Sequence, residues 1–333
     1  PYIGGGTVTV DGAGVEIPPC SLVDGDGLEV PKGYIHGKLL PGFKVNLHST
    51  MHEWIRLSPV YEELELEKYG CRYIRQHACM GMVFSDGSSI IHWQDVDRMC
   101  KEIEYFSPKD AKKYKDFIKE YTQIGEILIS AMYSPPVPDS VLAGMLEGTH
   151  AGREALRGFK SSIRELVMER FESVQLQTLM CMEASQAGLP DDVMGSGMIF
   201  SGLYAMLHKC GVSYGVGGSI APALALARIV EENGGKIIKN THVNRVISEG
   251  GVATGVELQD GTKVKAKKAV AASVGPRQLI ELIGRENCPA EFIVQCERYR
   301  EDEIGMFTLD LALNEPPRWK AIDNKPELEG IVS

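Results

Sequence analysis

The segment GVGGSIAPALALARIVEENGGKIIKNTHVNRVISEGGVATGVELQDGTKVKAKKAVAAS, residues 215–273, decides the fold of this chain. It opens on a glycine-rich turn. Ser219 is placed to cap the helix that follows, and Gly234 and Gly235 are placed to end it, because glycine tolerates the left-handed backbone found after helices. The segment therefore predicts a turn and one amphipathic helix before any strand.

Strands are predicted in the second half of the same segment. They cover KIIK at 236–239, THVNRVISE at 241–249, ATGVELQ at 253–259 and TKVKAKKAVAAS at 262–273. The pair Asp260-Gly261 is a strong signal for a two-residue hairpin turn between the last two. A helix followed by an antiparallel meander indicates a fold that mixes helices with sheet.

Earlier parts of the chain have different residue patterns. Residues 1–46 are rich in Gly and Pro and predict strands and loops, whereas VYEELELEKYG at 60–70 predicts a short helix. CRYIRQ at 71–76 and GMVFSDGSSIIHW at 81–93 predict two strands, the second with a turn at Asp86-Gly87. Residues 94–207 are helical in pattern, and Ser107 before Pro108 marks one helix start.

Composition excludes several classes of protein. The 333 residues carry a formal net charge of -10, and no basic stripe stands out, which argues against nucleic acid as a partner. The eight cysteines lack the spacing of a metal site, so we predict no metal, and they fit a reducing compartment. We expect a cytoplasmic protein.

One stretch leaves a membrane question open. Residues 124–146 are largely apolar but are broken by Pro135, Pro136 and Pro138. A core helix, a loop and a second helix explain the stretch most simply. A surface that enters lipid or admits an apolar substrate is the alternative, so peripheral membrane association stays open.

Five blocks of this sequence, in this order, resemble the phytoene desaturase-like FAD-dependent oxidoreductases, the carotenoid desaturase and saturase branch of the amine oxidase-like flavoproteins. The blocks are IGGGTVT at 3–9, PGFKVNLHS at 41–49, LELEKYGCRYI at 64–74, GVGGSIAPALALARIVEENGGKI at 215–237 and HVNRVISEGGVATGVELQDG at 242–261. They span nearly the whole chain.

The resemblance implies an α/β fold of the α+β kind, in which an incomplete FAD-binding Rossmann-like domain with a β-meander is interleaved with a mixed-sheet and helical substrate domain. On that basis residues 1–46 and 212–275 form the cofactor domain, and residues 47–211 and 276–333 form the substrate domain. Family members carry a GxGxxG unit before the first block and a flavin-contacting segment after the last. Neither is found here, so we expect this 333-residue chain to bind FAD weakly or not at all.

The resemblance also implies cofactor contacts. Glycine backbone can approach FAD closely because it has no Cβ, and a strand valine can recognise adenine through its main chain. The candidate cofactor-binding residues are Gly4, Gly5, Gly6, Thr7, Gly217, Gly218 and Val243. The alternative for the glycines is a simple turn of the chain, and the alternative for Val243 is an ordinary strand position.

Two histidines after the PGF block are candidate catalytic residues. His48 and His52 lie where the family brings its chain toward the flavin ring or the substrate, and an imidazole can relay the proton that accompanies hydride transfer. A hydrogen-bonded structural histidine is the simpler alternative for either one.

The function we expect is hydride transfer between FAD and an apolar, polyene or lipid-like small molecule. Two alternatives remain. One is a non-catalytic truncated binding module, and the other is a flavin amine oxidase or isomerase. The sequence does not specify the substrate, the direction of reaction or the oligomeric state.

Overall fold

The computed structural model describes residue 49, residues 51–186 and 188–300, and four short strand segments before residue 47. Its helices are α1 Glu53–Leu57, α2 Val60–Glu63, α3 Val96–Glu104, α4 Pro108–Met132, α5 Asp139–Glu147, α6 His150–Gly158, α7 Ile163–Arg170, α8 Val174–Ser185, α9 Gly197–Ile199, α10 Met206–Cys210, α11 Ala221–Glu232, α12 Pro276–Ile283 and α13 Ala290–Arg298. A π-helical turn covers Phe200–Tyr204, and a 3-10 turn covers Arg285–Asn287.

The strands are β1 Thr7–Thr9, β2 Leu22–Val23, β3 Gly27–Leu28, β4 Lys44–Asn46, β5 Tyr73–Gln76, β6 Ala78–Val83, β7 Ser89–Trp93, β8 Val212–Gly215, β9 Val243–Glu249, β10 Val252–Leu258 and β11 Lys263–Lys265. They pair in small antiparallel sheets: β1 with β4, β2 with β3, β5 with β8, β6 with β7, and β9 with β10 and β11. Helices and antiparallel sheets are thus mixed along the chain, which confirms the predicted fold class.

The main hydrophobic core lies within the helical region that the sequence predicts over 94–207. The longest helix, α4, crosses it and buries Tyr114, Phe117, Tyr121 and Ile124. Ser107 starts this helix as predicted: its hydroxyl accepts the N–H of Asp110, and Pro108 occupies the first helical turn. Strand β7 is buried along its whole length against this core.

A smaller core attaches helix α11 to the segment before β5. Leu66 and Cys71 pack there on Ala221 and Ala225. This contact explains why the helix predicted over 60–70 ends at Glu63: Glu65 takes a left-handed backbone with φ 47°, and the chain turns so that Leu66 is buried beneath α11.

One predicted strand is wrong and another is shorter than predicted. Residues 236–239 and 267–273 have no strand conformation, so the strand predicted over 262–273 is reduced to β11. Strands β9 and β10 form as predicted, and the chain turns at Asp260-Gly261, but the Leu258 N–H donates to the Thr262 carbonyl, so the loop has three residues and not the predicted two. A strand needs a neighbour for its N–H and C=O groups. In the part of the chain that the structure describes, neither segment joins a sheet, and Ile238 is 52% exposed.

Seven cysteines fall within the described residues, and all seven are free thiols that are buried or half-buried. Burial raises the pKa of Cys71, Cys79 and Cys100, and it raises the pKa of Cys181 to about 12. These thiols therefore stay protonated at neutral pH. Over the same residues, no helix combines the length and the apolar character needed to cross a membrane.

Candidate functional site

Two distant parts of the chain meet beside strand β8. The backbone N–H of His52 donates to the carbonyl of Ser213 over 2.9 Å, and the hydroxyl of Ser219 donates to the carbonyl of Ser49. We call this contact the junction; it comprises Ser49, His52, Tyr73, Ser213 and the turn at 215–219. It unites one predicted catalytic histidine with the predicted glycine turn.

The side chain of His52 is held at the junction by a tyrosine. His52 Nδ1 lies 2.9 Å from the hydroxyl of Tyr73, and the two rings meet edge to face with centroids 5.6 Å apart. Tyr73 is positioned by β5, which pairs residue for residue with β8. Burial lowers the pKa of His52 from its ordinary value, so at neutral pH the imidazole is uncharged and can accept a proton.

The glycine turn has the backbone that its sequence predicts. Gly217 and Gly218 have φ angles of 86° and 103°, which residues that carry a Cβ rarely adopt. A Cβ on Gly217 would meet no atom of the described residues within 4 Å, so these residues leave the space in front of this backbone open. An incoming molecule could therefore contact the turn directly.

Ser213 adds an unsatisfied polar atom to the junction. The residue is 1% exposed, and among the described residues its Oγ has no hydrogen-bond partner. A buried hydroxyl without a partner is costly. The Ser213 hydroxyl is enclosed by protein, whereas the bare backbone at Gly217 could contact a bound polar group, such as part of a nucleotide cofactor.

Ser219 does not cap helix α11, contrary to the prediction. The helix begins at Ala221 with Ile220 as its N-cap residue and has no side-chain cap. The Ser219 hydroxyl instead bonds Ser49, 170 residues away in sequence. Because the Ser219 hydroxyl is engaged in this long-range hydrogen bond, it does not cap the helix.

The other predicted cofactor residues are not brought to the junction within the described residues. Val243 lies at the start of β9, opposite Leu258, in a different sheet. Thr7 starts β1 and pairs with Asn46 at the end of β4. Gly4, Gly5, Gly6 and His48 lie outside the described residues, and their roles stay predictions.

A second polar group, missed by sequence reasoning, lies in the helical core. We call it the histidine cluster; its members are His92 of β7, Tyr114 of α4, Glu183 of α8, Tyr204 of the π-helical turn and His208 of α10. His92 Nδ1 lies 2.7 and 2.8 Å from the two carboxylate oxygens of Glu183. His92 Nε2 lies 3.3 Å from His208 Nε2, which is also 2.7 Å from the Tyr114 hydroxyl.

The cluster is deeply buried. His92 and Tyr114 are 0% exposed, and the ring of Tyr204 stacks on His92 with centroids 5.3 Å apart. Burial raises the pKa of both tyrosines well above their ordinary range, so they remain neutral. Two sequence signals could have found the cluster: Glu183 is the only charged residue of α8, and His92 interrupts the apolar strand SIIHW.

The junction and the cluster share one connection. Helix α10 carries His208, ends at Cys210 and passes through Gly211 directly into β8. His208 Nδ1 lies 2.8 Å from the carbonyl oxygen of Gln94, just after β7. The cluster therefore fixes the helix that leads to Ser213.

No protein-family model matches the chain. Among curated proteins it is similar to one of the polypeptides of the limonene dehydrogenase of Castellaniella defragrans, at 27% identity over 86% of this chain and 54% of that protein. It is also similar to the lycopene-forming phytoene desaturase of a Paracoccus species, at 21% identity over 71% of this chain and 46% of that protein. The chain spans about half the length of these relatives.

Among solved structures, an oxidoreductase from Methanosarcina mazei aligns with 81% of this chain and 57% of its own, at 15% identity and a TM-score of 0.49. These similarities to a dehydrogenase and to phytoene desaturases confirm the resemblance that the sequence blocks predict.

Proposed function

We propose that this protein is an FAD-dependent oxidoreductase that exchanges a hydride with an apolar, polyene or lipid-like substrate. The observation that carries the proposal is the junction. There, two segments predicted to approach a flavin are hydrogen-bonded to each other, through Ser49 and Ser219 that lie 170 residues apart, in a chain similar to phytoene desaturases. When bound, the flavin supplies the hydride chemistry.

On this proposal the residues of the chain bind the cofactor and orient the substrate. Gly217 and Gly218 present bare backbone to the cofactor. His52, uncharged because burial lowers its pKa, takes up through Nε2, the ring nitrogen that Tyr73 does not engage, the proton that the substrate loses.

The substrate class is supported by a band of exposed apolar side chains. They lie at the end of α4, in the proline loop and on α5, and include Met132 at 56% and Met145 at 68% exposure. No Lys or Arg occurs between Lys119 and Arg153. A surface this apolar would admit a hydrocarbon, taken from solution or from a lipid surface.

The test is made on the protein produced from its complete gene. We expect a flavin absorbance spectrum after gentle purification, FAD released on denaturation, and bleaching of the oxidised flavin band when a polyene or terpene hydrocarbon is added without oxygen. Absence of flavin, with no recovery on adding FAD, would reject the proposal and favour a binding module.

A pair of glycine variants sharpens the test. Gly217→Ala and Gly87→Ala place a Cβ on backbones of nearly equal φ, 86° and 84°, with no atom within 4 Å of the new Cβ in either case. Only the first lies at the junction. We expect Gly217→Ala to lose FAD more readily, whereas Gly87→Ala, in the β6–β7 turn, retains it; equal retention would exclude the glycine turn from the cofactor site.

A further inference from the structure

The two buried histidines of the cluster face each other through the same ring atom. Each has its Nδ1 committed elsewhere: His92 Nδ1 to the carboxylate of Glu183, and His208 Nδ1 to the carbonyl of Gln94. Both partners can only accept, so both Nδ1 atoms carry a hydrogen. What remains between the rings is the Nε2 to Nε2 contact of 3.3 Å.

The number of protons in that contact is fixed by elementary electrostatics. With none, two lone pairs point at each other; with two, two N–H groups collide and a second positive charge is buried. One proton makes an N–H to N hydrogen bond. The pair then carries a single positive charge, and the carboxylate of Glu183 compensates it within the same buried cluster.

Geometry favours His92 as the carrier of this proton, because His92 is the ring that faces the carboxylate of Glu183. Burial, followed by the charge of His92, lowers the pKa of His208 to about 3, so His208 is the neutral partner at neutral pH. Its Nε2 lone pair accepts the shared hydrogen, and the Tyr114 hydroxyl 2.7 Å away approaches the same atom. The other titratable groups packed around the pair are Cys79 of β6, Cys100 and Glu102 of α3, Tyr204 of the π-helical turn and Cys210 of α10.

We propose that His92 and His208 hold one shared proton, and that this proton locks helix α10, and with it strand β8, onto α8 and β7. Removal of the proton leaves Glu183 as an uncompensated buried charge and breaks the link between the rings. Helix α10 then keeps its His208 contact with Gln94 and loses its contact with His92. The lock would couple the protonation of the core to the position of Ser213 at the junction, and it does not depend on the proposed redox chemistry.

The direct test is nitrogen NMR of the protein with 15N-labelled histidine at neutral pH. We expect one imidazole with both nitrogens protonated and a second imidazole with a protonated Nδ1 and a bare Nε2. Tyr114→Phe, which keeps the ring, should move only the bare Nε2 resonance and thereby assign it to His208. Two neutral buried imidazoles, or two charged ones, would overturn the proposal.

The consequence for β8 is tested by Glu183→Gln. Amide exchange of Val212–Gly215 should accelerate by about tenfold or more, since removing one partner of a buried pair strands the other. Glu120→Gln is the matched control, because Glu120 pairs with His150, which is 74% exposed. Unchanged exchange in a folded Glu183→Gln protein would refute the lock, and if that variant does not fold, the NMR of the unmodified protein decides.

Discussion

Gly125 of helix α4 lies so close to Gly202 of the π-helical turn that a Cβ on Gly125 would overlap the Gly202 carbonyl oxygen. The same Cβ would stand 2.6 Å from Cγ and 2.8 Å from Sδ of Met206, the first residue of α10. The absence of a side chain at this one position lets α4 pack directly on the turn that carries Tyr204.

Gly125→Ala is therefore expected to destabilise the protein by about 2–4 kcal/mol, because a backbone carbonyl cannot move aside as a side chain can. Urea unfolding followed by circular dichroism measures the change. Gly144→Ala is the control: it lies in exposed helix α5 with no atom within 4 Å of its new Cβ, and should gain up to about 1 kcal/mol. Equal effects would contradict the close approach.

The bond from Ser219 to Ser49 gives a prediction for the junction. Ser219→Ala should cost about 1 kcal/mol, as expected for one hydrogen bond, and should speed amide exchange at His52 because the segment loses an anchor. Hydrogen exchange measured by mass spectrometry detects both effects.

Ser185→Ala provides the comparison for that variant. The Ser185 hydroxyl also donates to a backbone carbonyl, but to Cys181 within the same helix. Such local bonds add little to stability. If both variants changed exchange at His52 alike, the Ser219 contact would not be what holds the segment.

An ion pair between helices α6 and α7 should be worth more than one on the surface. Arg170 lies 2.5 Å from the Glu154 carboxylate and 2.5 Å from the Tyr121 hydroxyl, and the two charged side chains are 19% and 20% exposed. Arg170→Met is expected to cost about 1–3 kcal/mol, since it removes the shortest donor to the Glu154 carboxylate and leaves only the 3.4 Å contacts from Arg157 and from the Tyr121 hydroxyl.

Arg245→Met tests the same change at the exposed pair with Glu257, where the arginine is 56% exposed. Here we expect a loss below about 1 kcal/mol in the same unfolding measurement. A larger loss at Arg245 than at Arg170 would show that burial does not set the strength of these pairs.

The pKa of His208 makes a prediction for acid stability. Its ordinary value of 6.5 is lowered to about 3 in the fold, so between these values the unfolded chain binds a proton that the folded chain does not. The free energy of unfolding should therefore fall as pH is lowered from about 6.5 toward 3, by about 1.4 kcal/mol at most for each pH unit.

His208→Gln removes this titration. The variant should be less stable at neutral pH but should lose less stability on acidification, as read from urea midpoints at about pH 7 and pH 4.5. Parallel curves for His208→Gln and the unmodified protein would contradict the assignment.

The sequence correctly predicted those features of the fold that depend on contacts between residues close together in the chain. Ser107 capped α4 as expected because its partner, the Asp110 amide, lies three residues away, and the Asp260-Gly261 turn set the pairing of β10 with β11. The strand predicted at 236–239 failed because strand propensity supplies no neighbouring strand. Ser219 failed as a cap because its actual acceptor, Ser49, is 170 residues away.

In the candidate site, too, local features could be predicted from the sequence and long-range contacts could not. The positive φ of Gly217 and Gly218 was readable from the sequence, and so was a histidine at position 52. Their contact through Ser213 and Ser219 was not, because tertiary packing decides it. The histidine cluster was hidden more completely, since its members come from five separate elements and meet only when β7, α4, α8 and α10 close around them.

The reactivity of the buried thiols can be used to measure local unfolding of this protein. A cysteine reacts with alkylating reagents as the thiolate, and burial raises the pKa of Cys71 and Cys79 while it shields them from reagent. Modification in the native protein should then proceed only as fast as the surrounding structure unfolds locally. Because Cys71 lies under α11 and Cys79 lies in β6, peptide mapping of timed alkylation would rank the opening of these two regions separately, without any engineered label.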